Sequence, residues 1–367
     1  MQQHCLGKGK NSDKSSIADG QVVALIPTYN RKELVCECLA ACLAQSEPPD
    51  HIFLLDNGST DGTKEILQAA GFLKDPRINY FSFRRNVGPA GALDQLIRLA
   101  WMSNCDWMWI MDDDVIPAKS ALQELKAAFR ENFVAPEKIG LMASVNVSGD
   151  DLANNVPEIE MRRPTGQDPI WGELLSRGLV RIRWSTFGSI LIPRSTIAKF
   201  GSVNPVFWGS GLDIDFTLRV TQEAPIYLVG KSVAKHLRNV SGTFSVLTET
   251  DPTRIRYFFY HYRNNVYIRL KYYSFIRAIL FAAKALIEAI RALAEKEYPS
   301  LRAWSILSGT VNGFFFRPIF KPIGPPCFPM EQDTTGRAAA RQPAMLDEEL
   351  DPRRIQPKFH AAEHKHT

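Results

Sequence analysis

Three consecutive carboxylates, Asp112, Asp113 and Asp114, follow directly on the apolar run Trp107-Met108-Trp109-Ile110-Met111 and precede Val115-Ile116-Pro117. Adjacent acids repel one another, and a divalent cation relieves that repulsion. Alternate residues can aim two carboxylates at one ion, and hard oxygen ligands suit Mg²⁺ or Mn²⁺. The competing reading is a solvated acidic turn ahead of a helix. The apolar run decides for a metal site. It has the length and continuity of a strand covered on both faces. The acids then lie at the strand's C-terminal end, where open α/β sheets bind ligands. Two further candidates lie downstream. Asp213 follows the turn Gly209-Ser210-Gly211 and falls in the first turn of a helix, where the helix dipole favours a carboxylate. Its aromatic, glycine-rich lead-in suits a site wall. Asp215 reads instead as a partner for Arg219, four residues on. His236 closes the α/β part, where a neutral imidazole can complete a metal shell.

These side chains need a scaffold, and the N-terminal half supplies its rhythm. Gln21–Ile26 reads as a strand ending at Pro27-Thr28-Tyr29-Asn30-Arg31, with a helix over Lys32–Gln45. His51–Leu55 is a second strand, ending at Asp56-Asn57-Gly58-Ser59-Thr60-Asp61-Gly62. Gly and Asn make the turn there, and Ser59 or Thr60 can cap the next helix. Ile78–Phe83 is a third strand, ending at Arg84-Arg85-Asn86-Val87-Gly88-Pro89-Ala90-Gly91, with a helix to Met102 and then the Trp107 strand. Strand, loop and helix repeat four times, which predicts an α/β fold with a mostly parallel, doubly wound sheet. A helix over Ala118–Phe133 and a strand over Lys138–Val147 continue it. Gly149–Gly178 reads as a long loop over the site, Leu179–Trp184 as a half-buried strand, Phe187–Pro193 as more sheet and Ile226–Val229 as a short strand. No Gly-x-Gly-x-x-Gly follows the first strand and no Gly-x-x-x-x-Gly-Lys-Ser/Thr occurs, which argues against dinucleotide dehydrogenases and P-loop NTPases.

Of 367 residues, 45% are hydrophobic and 23% charged, the balance of a soluble globular chain. A net charge of +5 is too small to indicate a nucleic-acid partner by itself. The six cysteines, at 5, 36, 38, 42, 105 and 327, lack the spacing and histidines of a zinc site and read as free thiols in a reducing, cytoplasmic setting. Residues 1–20 have no apolar signal core and no run of 18 apolar residues occurs, so neither a signal peptide nor a spanning helix is expected.

Charge is instead concentrated near the C-terminus. From Thr253 to Ile287 there is no acid, while Arg254, Arg256, Arg263, Arg269, Lys271, Arg277 and Lys284 are interleaved with tyrosines and phenylalanines. Ser274–Lys296 is helical in pattern, with Arg277, Lys284, Glu288, Arg291 and Glu295 on one stripe and the rest apolar. Such a helix can be buried in a helical subdomain, or can lie on a membrane surface with bases for lipid phosphates. The expected organisation is a disordered segment over 1–20, a catalytic domain over 21–240, a helical subdomain over 241–324 and a disordered tail over 325–367.

The ordered set Ile26-Pro27-Thr28-Tyr29-Asn30-Arg31, Asp56 to Gly62, Arg85-Asn86-Val87-Gly88-Pro89-Ala90-Gly91 and Asp112-Asp113-Asp114 resembles the family 2 inverting glycosyltransferases of GT-A fold, over about residues 21–240. Tyr262-Arg263-Asn264-Asn265 and the His236 ending are similar to the bacterial galactofuranosyl- and rhamnosyltransferase-like branch, which builds surface polysaccharides. The resemblance implies transfer from a nucleoside diphosphate sugar to a saccharide or lipid-linked acceptor, with Mn²⁺ or Mg²⁺ as cofactor. It implies that Pro27, Thr28, Tyr29 and Arg31 line the nucleotide pocket. Asp56 would accept from the ring nitrogen of uracil or thymine, and Arg85 and Asn86 would contact nucleotide or sugar. Asp113 would orient ribose or sugar, Asp112, Asp114 and His236 would hold the metal, and Asp213 would be the catalytic base. Leu212 departs from the acid that usually precedes that base. The chemistry agrees: a cation neutralises the leaving diphosphate, and one base takes the acceptor proton. A nucleotidyltransferase, or a catalytically silent sugar-binding protein of the same fold, are the alternatives. Attachment of Arg254–Lys284 to the cytoplasmic face of a membrane is the expected location.

Overall fold

A computed structural model describes residues 20–148, 152–163, 166, 168–237, 245–320, 322–324 and 331–332. The expected disordered ends, 1–20 and 325–367, lie almost wholly outside the described residues. The first half runs β1 (Val22–Thr28), α1 (Lys32–Leu43), β2 (His51–Asp56), α2 (Thr63–Ala69), β3 (Ile78–Ser82), α3 (Pro89–Met102), β4 (Trp107–Met111), β5 (Val115–Pro117) and α4 (Ala121–Asn132). It continues through β6 (Leu141–Val147), β7 (Leu179–Ile182), β8 (Gly188–Pro193), α5 (Arg194–Phe200), α6 (Leu212–Val220) and β9 (Ile226–His236). Three helices follow, α7 (Pro252–Tyr272), α8 (Phe275–Ala292) and α9 (Pro299–Phe315), and then β10 (Glu331–Gln332).

The strands form one sheet in the order β10-β3-β2-β1-β4-β8-β6-β9-β5, with β7 on β9. The four strands of the repeating half, β3-β2-β1-β4, are parallel as expected. Beyond β4 the sheet becomes mixed: β8 runs antiparallel to β4 and β6, while β6 and β9 are parallel. Strand alternation explains why both faces are covered. Val22, Ala24 and Ile26 of β1 join the core under α1 and α4, whereas Val23 and Leu25 join the core under α3 and α5.

Four stretches differ from the sequence reading. The strand expected at Ile226–Val229 runs on to His236, through the exposed Gly230 and Lys231. Val115–Pro117 is a strand of its own, paired antiparallel with the end of β9. Neither Ser59 nor Thr60 caps α2; Gly62 holds the cap position, and Asp61 Oδ1 accepts from Thr63 N at 3.1 Å. The Gly149–Gly178 stretch is not one open loop where described, since Ala153 bridges to Val147 and Ile159 to Ile182.

The helical layer was expected only in outline. Its core contains Ile255, Phe258 and Tyr262 of α7, Ala285 and Ala289 of α8, and Ala303 and Ile306 of α9. Gly309 and Gly313 let α9 approach α7 so closely that a Cβ on either would collide with α7 backbone carbonyls. A second cluster, Phe207, Leu218, Tyr267, Ile268 and Tyr272 among it, joins α7 to the region around α6.

Candidate active site

Parallel pairing puts the C-terminal ends of β1, β2 and β4 side by side, with Thr28 opposite Asp56 and Leu25 opposite Ile110. Residues leaving those ends therefore share one crevice edge. Asp112 to Asp114 leave β4 there. The antiparallel pairing of β5 with β9 sets Val115 against His236, so Asp114 and His236 become neighbours although 122 positions apart. The backbone is pinned as well, Leu237 N donating to the Asp114 carbonyl at 2.8 Å.

One ligand atom each from Asp112, Asp114 and His236 lies within 4.8 Å of the others. Nε2 of His236 is 3.0 Å from Oδ1 of Asp114, close to the edge of an octahedral oxygen–nitrogen shell around a small divalent ion. Asp112 is exposed, whereas Asp114 and His236 are buried. Close-packed surroundings, then repulsion from Asp114 and Asp113, push the Asp112 carboxyl up to about 7, against the pull of His236. Because the residue reaches solvent, repulsion is the firmer of the two causes. Three acids held this close, with a histidine beside them, fit a hard divalent cation.

The remaining contacts show what braces the set. Arg31 Nη1 donates to Asp113 Oδ1 at 2.8 Å and to Asp114 Oδ2 at 2.7 Å. Thr28 Oγ1 donates to the other oxygen of Asp113 at 2.7 Å. Asp113 is thus buried, with both oxygens engaged, and works as the strut between β1 and the acids. Burial raises its carboxyl above the usual range, and Arg31 and Thr28 pull it back only in part. Thr28 and Arg31, expected in the nucleotide pocket, reach the acids directly. On the far side of His236, Asn155 Nδ2 lies 3.3 Å from Nδ1. The polarity of that contact selects the imidazole tautomer. With the amide nitrogen facing Nδ1, the proton sits on Nε2 and donates to Asp114. With the amide turned over, Nδ1–H donates and Nε2 is free to ligate a metal. No sequence pattern singled out Asn155.

The nucleotide-side residues are equally interlocked. Asp56 is buried, its oxygens accepting from Ser59 N at 2.7 Å and Tyr80 OH at 2.9 Å. A ring nitrogen would have to share one of those oxygens. Asn86 Oδ1 accepts from Asn57 Nδ2 at 3.0 Å and Gly88 N at 2.7 Å, so it ties the loops after β2 and β3 together. Arg85 is exposed beside it, Pro27 is half-buried at the end of β1, and Tyr29 is exposed at the mouth. Tyr29 lies close enough to Tyr257 of α7 to act on its phenol. Trp208 stacks on Tyr260, centroids 5.8 Å apart, so the mouth carries an aromatic wall.

Asp213 lies in the first turn of α6, half-buried, its Oδ1 accepting from Ile214 N at 2.8 Å, and near enough to Asp112 to raise the latter's carboxyl. Asp215, two residues on and so about 200° round the helix, is buried. It accepts from Tyr272 OH at 2.8 Å, with Arg219 Nε at 3.8 Å and Lys271 Nζ at 3.9 Å. The pairing expected with Arg219 is present, and Tyr272 adds a bond the sequence did not reveal.

The turn before Asp213 is held by α7. Asn264, fully buried, donates to the carbonyls of Phe207 at 2.9 Å and Ser210 at 2.7 Å. Its neighbour Arg263 donates to the Val206 carbonyl at 2.5 Å, and Ser210 Oγ pairs with His261 Nδ1 at 2.9 Å. Gly211 has φ +80°, and a Cβ there would lie 2.9 Å from Ile268 Cδ1. Gly88 likewise has φ +83° and sits against the Trp208 ring. The cysteines conform to expectation where described: Cys36, Cys38, Cys42 and Cys105 are free thiols.

Residues 23–159 match the glycosyl transferase family 2. That span holds β1 to β6 and the three acids, and stops short of Asp213 and His236. A galactofuranosyltransferase, GlfT1, of Mycolicibacterium smegmatis is 34% identical over 103 residues, 28% of this chain and 32% of that protein. Abequosyltransferase RfbV of Salmonella typhimurium is 34% identical over 106 residues, 28% of this chain and 30% of that one. The chain thus spans about a third of the length of these curated relatives. Among solved structures, S. aureus TarS 1-349 aligns with a TM-score of 0.46 at 13% identity, covering 80% of this chain and 72% of that one. No helix among the described residues is long and apolar enough to cross a membrane. The strand ends and the acid cluster at the crevice lie within the stretch, residues 23–159, that matches glycosyl transferase family 2.

Proposed function

We propose that the chain transfers a sugar from a nucleoside diphosphate sugar to a hydroxyl of a saccharide or lipid-linked acceptor, with inversion at the anomeric carbon. The observation that carries this reading is the grouping of Asp112, Asp114 and His236 within 4.8 Å at the sheet edge, with Asp213 close by. Asp112, Asp114 and His236 would hold Mn²⁺ or Mg²⁺, which would neutralise the charge developing on the departing diphosphate. Asp113, through Thr28 and Arg31, keeps the two ligand acids apart and oriented. Asp56, Arg85 and Asn86, with Pro27 and Tyr29, would receive base, ribose and sugar. Asp213 would take the proton from the acceptor hydroxyl as its oxygen attacks the anomeric carbon. One base suffices for inversion, because attack occurs opposite the leaving group. Galactofuranose or rhamnose is the favoured cargo and cell-surface polysaccharide the favoured product. The names of the galactofuranosyl- and abequosyltransferase relatives support that class. The reaction would take place at the cytoplasmic face of a membrane, with the chain held there peripherally through the basic, aromatic region from Arg254 to Lys284.

A screen of nucleoside diphosphate sugars for binding, with and without Mn²⁺ or Mg²⁺, tests the reading. Cation-dependent binding of one donor, slow hydrolysis of it without acceptor, and an inverted product are expected. Failure of every donor to bind with either cation overturns it.

A further inference from the structure

An apolar surface large enough to need a partner lies on α8. Only alanines of α8 are buried, Ala278, Ala285, Ala289 and Ala292. They recur every three, four or seven residues and so form a single stripe, which packs on the rest of the helical layer. Except for Phe281, which packs on that core, the large side chains point elsewhere. Phe275, Ile276, Leu280, Leu286, Ile287 and Ile290 are each more than half exposed, Ile276 by 70%. At about 100° per residue they occupy a sector about 140° wide, away from the alanine stripe. Arg277, Lys284 and Arg291, all exposed, recur every seven residues along one border of that sector. The acid of the helix, Glu288, adjoins that row on the side facing the protein, half-buried beside Tyr262, whose hydroxyl burial and then Glu288 raise. On α9, Trp304, Val311 and Phe315 are exposed as well. By contrast, Arg263 and the tyrosines at 262, 267 and 272 of α7 are buried in the protein.

We infer that α8 docks the chain on an anionic lipid surface, its isoleucine, leucine and phenylalanine sector entering the acyl boundary and Arg277, Lys284 and Arg291 lying at the phosphates. Charge and shape both favour this occupant. An apolar sector this wide is seldom left to water. A regular row of bases on its border matches the phosphate layer over a hydrocarbon boundary, and matches a second copy of the same basic border poorly. The helix lies along the surface, since none of the described helices can cross one. This inference rests on the membrane location proposed above, shifts the contact from the whole Arg254–Lys284 region to α8, and is independent of the sugar chemistry.

The test is co-sedimentation of the full chain with vesicles of phosphatidylcholine alone or with phosphatidylserine. The parent should bind the anionic vesicles, less so at high salt. Leu280→Asp/Ile287→Asp should bind at least tenfold more weakly. Arg277→Gln/Lys284→Gln/Arg291→Gln should lose on the order of a hundredfold, from roughly 1 kcal/mol per base near a charged surface. Arg254→Gln/Arg256→Gln on α7 should bind nearly as the parent does. All these side chains are exposed, and unchanged melting of each variant guards against misfolding. As a second measurement, Leu280→Trp should shift its fluorescence to the blue with anionic vesicles. If the parent binds and the α8 variants bind equally well, α8 is the wrong face while the membrane location stands. A parent that binds no vesicle overturns both. A dimer that the Asp variant splits, with no vesicle binding, assigns the face to a second copy and overturns the inference.

Discussion

Replacing Asp213 and Asp215 in turn separates a proton acceptor from a brace two residues away. Asp213→Asn keeps size and the bond from Ile214 N, and loses only charge and basicity. On the scale of a general base, turnover should fall about 10²-fold or more, or about 2.7 kcal/mol in the barrier. Its stability cost is limited to the helix-dipole contribution of a first-turn acid, about 0.3–1 kcal/mol. Asp215→Asn has the opposite profile. It leaves Tyr272 OH a neutral acceptor in place of a charged one. It also removes the anion 3.8 Å from Arg219, a guanidinium whose charge burial already disfavours. Losing a charged hydrogen-bond acceptor costs about 1.5–3 kcal/mol. Arg219 still donates to the Phe200 and Ser202 carbonyls, so the full cost of breaking a buried ion pair is not incurred. For a chain of this size about 2–3 kcal/mol lowers Tm by roughly 3–5 °C. The assay pairs initial rates of nucleoside diphosphate release at saturating donor with donor affinity and a thermal melt. Asp213→Asn should be slow, stable and donor-binding, and Asp215→Asn active and heat-labile. An inactive Asp215→Asn beside an active Asp213→Asn refutes the assignment and moves the acceptor to the other side of α6.

Asp114→Ala should abolish cation-dependent donor binding, measured by calorimetry with Mn²⁺; unchanged binding would place the cation elsewhere. Asn155→Ala should weaken Mn²⁺ binding about 10–100-fold with the fold intact, the usual effect of losing the partner that orients a metal-ligating histidine. Gly211→Ala should cost about 1–2 kcal/mol from its left-handed backbone, and more from the clash with Ile268, read as a fall in Tm. His261, desolvated by burial and repelled by Arg269, is held down at about 4 from 6.5. The unfolded chain therefore binds the extra proton first, and stability should fall as pH drops from about 6.5 towards 4. Denaturant melts of His261→Gln should show a flatter slope across that window, and an unchanged slope would remove His261 as the cause.

The crevice was legible because strand ends in a parallel sheet converge whatever lies between them. Continuous apolar runs marked β1, β2 and β4, and the polar turns after them carried Thr28, Asp56 and Asp112. Contacts between those turns were not legible. Nothing in the spacing of Arg31 and Asp113 says that the guanidinium spans two acids, since that follows from how α1 leaves β1. β9 was cut short because its continuous apolar run stops at Val229, although the strand passes on through Gly230 and Lys231. α7 escaped because bases and aromatics follow each other without the apolar periodicity of an ordinary amphipathic helix. It is packed on several sides, so its burial follows no single stripe. For α9 the closest contacts are made by Gly309 and Gly313, residues that lower helix propensity and mark tight packing only once α7 is in place.

α7 connects the two proposals. Along one side Arg263 and Asn264 grip the turn that leads into Asp213. Along another, Phe259 and Val266 receive the glycines of α9, and α8 packs on the same layer. The close helix approach leaves little room for sliding, because each glycine sits where any side chain would meet α7 backbone. A membrane held by α8 would therefore lie at a fixed position relative to Asp213. An acceptor anchored in that membrane could present its hydroxyl only within the reach of its own headgroup, and a soluble acceptor would face no such limit. The same rigidity makes Asn264 a positioning residue rather than a catalytic one. Its amide touches two carbonyls of the turn, and neither the acids after β4 nor His236. Its loss should therefore slow transfer to the acceptor while leaving the cation-dependent binding of donor intact.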